Sequence, residues 1–140
     1  MKIKILIPVY NDFESVSKLI NDISSVISDL NQEFSIIVIN DGSTDKAILN
    51  ISNVNKFNSI KIINMRENRG HARCNAAGLK FIFEKEEFDY VIPMDGDGED
   101  RPEEIFKFIE FLNYDKFKPI VGERIKRSEG IIFKLLYNFH

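Results

Sequence analysis

Four carboxylates fall within the six residues Asp95-Gly96-Asp97-Gly98-Glu99-Asp100, directly after the apolar stretch Asp89-Tyr90-Val91-Ile92-Pro93-Met94. Carboxylates at that density repel one another unless a cation sits among them. A hard divalent cation takes oxygen ligands and often shares them with phosphate. Asp95 and Asp97, two apart, with Gly96 and Gly98 freeing the backbone to turn, are therefore candidate ligands for a metal that carries a phosphorylated molecule, a nucleotide first of all. The plainer alternative is a solvated turn, since Asp and Gly favour turns. A calcium loop of the EF-hand type is ruled out. Counted from Asp95, its sixth and twelfth positions hold Asp100 and Phe106 in place of the required Gly and Glu.

Two further polar clusters share this setting at the end of an apolar run. Tyr10-Asn11-Asp12 follows Lys2 to Pro8, and Asn40-Asp41-Gly42-Ser43 follows Phe34-Ser35-Ile36-Ile37-Val38-Ile39. Tyr10 can stack on a base or stand as a rim aromatic, and Pro8 can fix the turn that exposes Tyr10 and Asp12. Asp41 can accept hydrogen bonds from a base or ribose, as acidic residues do in dinucleotide folds. It could equally cap a helix, as could Ser43 or Thr44. Arg69 and Arg73 follow the third apolar run, each either a nucleotide contact or a solvated charge. His71 has no second histidine at ligand spacing, so zinc is disfavoured, and Cys74 reads as packing. Gly122-Glu123-Arg124, with Lys126 and Arg127 near by, puts Arg124 where it can reach phosphate oxygens, or forms a generic basic loop. No Gly-x-Gly-x-x-Gly follows the first strand and no Gly-Lys-Ser/Thr loop occurs, which disfavours a Rossmann dinucleotide site and a P-loop.

The elements that must position these clusters alternate strand and helix. Strands are expected at Lys2 to Pro8, Phe34 to Ile39, Ile60 to Asn64, up to Met94, and at Lys118 to Gly122. Helical spacing of Phe13, Val16, Leu19, Ile20, Ile23, Val26, Ile27 and Leu30 predicts the first helix. A short helix is expected around Ala47 to Val54. Another is expected from about His71 to Lys85, with Ala72, Ala76, Leu79, Ile82 and Phe83 as its apolar positions. A fourth should carry Ile105, Phe106, Ile109 and Leu112, with Pro102 in its first turn. The apolar tail Gly130 to Phe139 reads as helical. This alternation predicts an α/β fold, a doubly wound, mostly parallel sheet with helices on both faces. Ligands of such sheets bind beyond the carboxyl ends of the strands, where all three polar clusters fall.

Composition narrows the class. A chain of 140 residues, 44% hydrophobic and 29% charged, fits one globular domain, and a net charge of −3 makes nucleic acid a poor partner. With Cys74 as the single cysteine, no internal disulfide can form, which suits a reducing compartment. The expected location is the cytoplasm. Basic residues followed by the apolar C-terminal segment also fit peripheral contact with the cytoplasmic face of a membrane.

Together, Ile7-Pro8-Val9-Tyr10-Asn11-Asp12, Val38-Ile39-Asn40-Asp41-Gly42-Ser43-Thr44-Asp45, Asn68-Arg69-Gly70 through Arg73 and Asn75, and Met94-Asp95-Gly96-Asp97 resemble the family 2 glycosyltransferases, which have the GT-A nucleotide-sugar fold. Within that family, the run from Asp95 to Glu104 and Gly122-Glu123-Arg124 are similar to the polyprenyl-phosphate sugar transferases. The resemblance implies that Pro8, Tyr10 and Asp12 border the nucleoside and Asp41 binds base or ribose. It places Arg73 and Gly96 at the nucleotide sugar and has Asp95 and Asp97 hold Mg²⁺ or Mn²⁺ against the donor diphosphate. Asp97 and Arg124 are then the expected catalytic residues. The implied reaction is inverting sugar transfer from a nucleoside diphosphate sugar to a polyprenyl phosphate or a glycan hydroxyl, in cell-envelope or glycan biosynthesis. Family members have a longer catalytic domain, so the chain is expected to be its N-terminal, donor-binding part. A nucleotide-binding remnant without catalysis is a second reading. A nucleotidyltransferase is a third, disfavoured because Tyr10-Asn11-Asp12 stands where its Gly-rich basic loop would lie.

Overall fold

The computed structural model describes residues 1–112. The strand expected at 118–122, the apolar tail, Arg124, Lys126 and Arg127 lie outside the described residues. The chain divides into two compact units, Met1–Lys107 and Phe108–His140. The sheet and all three polar clusters belong to the first unit.

The described strands form one parallel sheet. It comprises β1 (Lys2–Val9), β2 (Glu33–Asn40), β3 (Ser59–Asn64) and β4 (Tyr90–Pro93), in the spatial order β3-β2-β1-β4. In β1 the register sets Leu6 against Ile37 of β2 and against Pro93 of β4. Every residue of β2 after Glu33 is buried, the near-continuous apolar run of a strand covered on both faces. The helices are α1 (Phe13–Val26), α2 (His71–Lys85) and α3 (Glu104–Leu112). Alternation along β1 decides which helix each side chain meets. Leu6 packs with Ile37, Ile39, Cys74 and Ile82 under α2. Ile7 turns the other way, where it and Val16 of α1 flank Gly96. The doubly wound sheet expected from the sequence is thus borne out.

Four local expectations need correction. The first helix stops at Val26 and tightens into a 3₁₀ turn, Ile27–Asp29, before Leu30. Pro102 lies in a turn ahead of α3, where its carbonyl accepts from the Ile105 N–H at 3.0 Å. No helix forms around Ala47 to Val54; the segment is irregular until a 3₁₀ turn, Val54–Lys56. Its backbone is held by α1 side chains instead. Asn21 donates Nδ2 to Asn50 O and accepts the Ser52 N–H, both at 2.9 Å, and Ser17 Oγ accepts the Asn50 N–H at 3.1 Å. Asn and Ser disfavour helix interiors because side-chain hydrogen bonds offer the backbone such alternatives. Finally, α2 runs from His71 to Lys85 and buries Ile82 and Cys74 as expected, but its other four expected apolar positions face outward. Cys74, Gly78 and Ile82 are buried, whereas Ala72 and Ala76 are exposed, as are Leu79 (43%) and Phe83 (79%). Gly78 explains the rotation: a Cβ there would stand 2.5 Å from Leu6 Cδ1 and 2.8 Å from Ile39 Cγ1. Close helix–sheet approach therefore needs a residue without a side chain, which hydrophobic periodicity does not register.

At the amino-terminal edge of the sheet, Glu86 caps the end of α2 with its side chain only 8% exposed. It pairs with Lys61 and, at 3.3 Å, with the buried Lys4, which also donates to Ser35 Oγ at 3.3 Å. The hydrogen bond from Lys61 comes first, with Lys4 adding to it, and together they hold the Glu86 carboxyl below its ordinary 4.5 despite opposing burial. A depressed folded-state pKa gives stability that is complete above the unfolded value and lost as pH falls through the folded one. Glu86→Gln is expected to cost about 1–3 kcal/mol at neutral pH, because Lys4 is left poorly paired. The acid limb of a stability–pH curve below about pH 5 should also flatten. Urea melts of both proteins across pH 3–7 check this.

Candidate active site

Sheet topology brings the polar clusters to one edge. The strand order reverses beside β1, with β2 on one side and β4 on the other, and the carboxyl ends there line the crevice that open α/β sheets use for ligands. Tyr10, Asn40 and Asp41, and Asp95 all leave the sheet at that edge.

After β1, Tyr10 is 51% exposed and Asn11 takes a left-handed φ of +54°. That conformation turns Asn11 onto the loop after β2. Its Oδ1 accepts the N–H of Thr44 at 2.8 Å and of Asp45 at 3.3 Å, while its own N–H donates to Ser43 Oγ at 2.9 Å. Asp12 is the N-cap of α1, its side chain accepting the Ser15 N–H at 3.1 Å, which satisfies one of the free amides of the first turn.

After β2, Asn40 donates Nδ2 to Asn64 Oδ1 of β3 at 2.8 Å and accepts the Ser43 N–H at 2.9 Å. Asp41 is only 4% exposed. Its Oδ1 accepts the Arg69 N–H at 2.8 Å and its Oδ2 the Gly70 N–H at 2.9 Å. The helix-capping alternative for Asp41 thus takes an indirect form, because Gly70 is the N-cap of α2 and Asp41 holds it from the loop after β2. Beneath it Cys74 is fully buried, and burial first, then the Asp41 charge, pushes its thiol up to about 11. A thiol so placed is inert, in keeping with the packing role read from sequence.

After β4, the Asp95 N–H donates to Asp100 Oδ2 at 2.7 Å and the Glu99 N–H to Asp97 Oδ1 at 2.9 Å, with Gly98 at φ +84° between them. Gly96 lies so close to β1 and α1 that a Cβ would stand 2.8 Å from Val16 Cγ2 and 3.5 Å from the Pro8 carbonyl. This seats the acidic turn against the end of β1. Burial raises the Asp95 carboxyl above its ordinary 3.8; Asp100, Asp97 and Glu99 add to the rise and His71 opposes it. Asp95 and Asp97 are hard oxygen donors in a field that a cation would relieve. Among the described residues no three His, Cys, Asp or Glu side chains are arranged to hold an ion. Two carboxylates would be a partial shell for an ion such as Mg²⁺, which completes its coordination with water and phosphate oxygens.

Of the expected site residues, Pro8, Tyr10, Asp12, Asp41, Gly96, Asp95 and Asp97 fall at this edge, and Arg73 is exposed in the first turn of α2. Two residues have roles that the sequence did not assign to them. His71 brings Nε2 to 3.5 Å from Asp95 Oδ1, with Asn75 Nδ2 2.9 Å from the same nitrogen. Asn11 staples two loops together. The route of the β3–α2–β4 crossover was the available signal for His71. It starts a helix at the carboxyl edge of the sheet, so the first residue after Gly70 arrives beside the end of β4. Asn11 stands in the first polar cluster, but nothing in the spacing pointed to its partners across the loops.

The comparisons agree with this architecture. The family model "Glycosyl transferase family 2" matches residues 4–138. An undecaprenyl-phosphate 4-deoxy-4-formamido-L-arabinose transferase of Proteus mirabilis is 32% identical over 138 residues, covering 95% of this chain and 40% of that protein. An uncharacterized glycosyltransferase of Synechocystis is 31% identical over 111 residues, covering 79% of this chain and 34% of that one. The chain thus spans 34% to 40% of the length of these relatives. Among solved structures, S. aureus TarS 1-349 superposes with a TM-score of 0.64 at 22% identity, covering 91% of this chain and 39% of its own. The mannosyltransferase PcManGT of Pyrobaculum calidifontis, in complex with GDP-Man and Mn²⁺, superposes with a TM-score of 0.59 at 18% identity, covering 89% and 35%. No described helix is long and apolar enough to cross a membrane. With the family model running almost end to end over a parallel sheet of this strand order, the chain belongs to glycosyl transferase family 2.

Proposed function

We propose that this chain binds a nucleoside diphosphate sugar at the carboxyl edge of β1, β2 and β4 and supplies the donor side of an inverting glycosyl transfer. The observation that carries the reading is the acidic turn Asp95-Gly96-Asp97, which Gly96 seats against Pro8 at the strand-order reversal. Asp95 and Asp97 would hold Mg²⁺ or Mn²⁺; when bound, the ion offsets charge that builds on the departing diphosphate. Tyr10 has the exposure to stack on the base, Pro8 and Asp12 would border the nucleoside, and the exposed Arg73 would contribute a positive charge to the nucleotide sugar. Arg124, outside the described residues, would add a charge-assisted contact to the donor phosphates.

The acceptor we propose is a polyprenyl phosphate. The support is a relative at 32% identity whose name specifies undecaprenyl phosphate. A phosphate is already ionised at neutral pH, so this acceptor needs no general base from the chain, whereas a sugar hydroxyl would. A thermal-shift screen of UDP-, GDP- and dTDP-sugars with and without Mn²⁺ tests the donor reading. Stabilisation of about 2.7 kcal/mol accompanies a ligand at a hundred times its Kd, and no stabilisation by any donor would sink the proposal. Donor binding without transfer by these residues is the second reading. Release of nucleoside diphosphate on adding undecaprenyl phosphate, followed by chromatography, would exclude it.

A further inference from the structure

We propose that the outward face of α2 is a self-pairing surface, on which a second copy of this chain packs its own α2 antiparallel about a two-fold axis. The pairing goes beyond donor binding and does not depend on it.

The two helices that cover the sheet differ on their outer sides. The exposed residues of α1 are Glu14, Lys18, Asp22 and Ser25, all polar. On α2 the exposed residues include Ala72, Ala76, Leu79 and Phe83. Single exposed apolar residues are ordinary. These four, however, recur at steps of four, three and four, the spacing of a seam between two helices. The sheet does not use them, because Cys74, Gly78 and Ile82 make that contact. The order of sizes along the ridge identifies the occupant. Small residues fill its first half and large ones its second. Antiparallel pairing about an axis between Ala77 and Gly78 sets Ala72 against the partner's Phe83 and Ala76 against the partner's Leu79. Every large side chain then meets a small one, and the same patch serves both copies, as a two-fold interface requires. Parallel pairing would instead set Phe83 against the partner's Phe83 and leave gaps between alanines. The charges agree with the antiparallel arrangement. Arg73, Ala77, Lys80 and Glu84 run along one flank of the ridge. Helical side chains lean toward the amino terminus, which carries Arg73 toward the partner's Glu84 and Lys80 toward the partner's Ala77. Two symmetric ion pairs result without a like-charge contact, and Lys80 Nζ supports Glu84 within the same helix at 3.8 Å. A helix of 15 residues covers less than the about 1,200 Å² of a standard interface, so the dimer is weak and exchanges with monomer.

Sedimentation velocity of the full 140-residue chain, from about 10 to 1,000 μM, tests the pairing. The wild type should pass from monomer toward dimer across that range. Phe83→Glu should raise the dimer dissociation constant at least about tenfold, with the melting temperature of the dilute protein unchanged, since Phe83 is 79% exposed. Glu84→Arg alone should weaken the dimer about fivefold. Arg73→Glu combined with Glu84→Arg should restore it to within about twofold, a rescue that a loss of helix stability would not give. A chain that stays monomeric at every concentration would overturn the proposal. So would a dimer indifferent to Phe83→Glu, or a double exchange no tighter than Glu84→Arg alone. Vesicles of phosphatidylglycerol and phosphatidylcholine form the last arm. Co-sedimentation that Phe83→Glu abolishes, in a chain that remains monomeric in solution, would give the ridge to a lipid surface and overturn self-pairing.

Discussion

Asp97→Ala is expected to abolish metal-dependent binding of nucleoside diphosphate sugars, with affinity in Mn²⁺ falling at least about a hundredfold. On the proposed reading Asp95 and Asp97 are the carboxylates that would hold the ion, and no third His, Cys, Asp or Glu joins them among the described residues. Loss of one therefore halves the protein's share of the coordination shell. In the folded chain Asp97 does little else: its Oδ1 accepts the exposed Glu99 N–H, so the melting temperature without metal should barely move. Asp95→Asn gives a sharper contrast. The folded state raises the Asp95 carboxyl, so its ionised form is disfavoured by folding, and this group's contribution improves as pH falls through the folded value. An uncharged amide removes that penalty at neutral pH. Asp95→Asn should melt at or slightly above the wild type without metal, yet gain nothing when Mn²⁺ and donor are added. Calorimetric titration and paired thermal melts check both variants. Wild-type affinity in Asp97→Ala would remove the acidic turn from the donor site.

Gly42→Ala is expected to be the most destabilising single methyl in the described chain, at about 2–4 kcal/mol. Two costs add. Alanine at φ +69° sits in the left-handed region that side chains avoid. Its Cβ would also collide at 2.5 Å with backbone of Glu67 and Asn68, which cannot step aside as a side-chain tip can. Gly98→Ala isolates the first cost, since φ is +84° there but nothing lies within 4 Å of the added carbon; about 1 kcal/mol is expected. Urea denaturation with an unchanged m-value would confirm that the folded state alone is affected. Equal losses in the two variants would mean that the loops are not in contact.

The larger architecture was legible because it rests on signals that sequence carries directly. The apolar runs of β1 and β2 and the limits of α2 follow from periodicity and from Gly70 ahead of His71. The convergence of Tyr10, Asp41 and Asp95 follows from parallel topology. What stayed hidden depends on partners distant in sequence. The irregular segment after Asp45 could not be foreseen because Ser17 and Asn21, on another element, satisfy its backbone. The buried face of α2 turned on Gly78, a residue whose contribution is the side chain it lacks. Asp41 has the right type and place for a ligand contact, and only the loop from beyond β3 reveals what occupies its oxygens.

The stapling of the crevice loops to one another has a kinetic consequence. β1 is hydrogen-bonded along both edges, and its residues Ile3 to Ile7 are buried, so its amides should be among the slowest to exchange with solvent. The loops at its end have no such sheet to rely on. Instead Asn11 ties the first to the second, Asp41 ties the second to the third, and His71 reaches the fourth. Segments linked in series tend to open as one cooperative unit. A fluctuation that frees any of these ties would then loosen the whole rim at once, and the crevice would alternate between a formed and an unformed state with few gradations between.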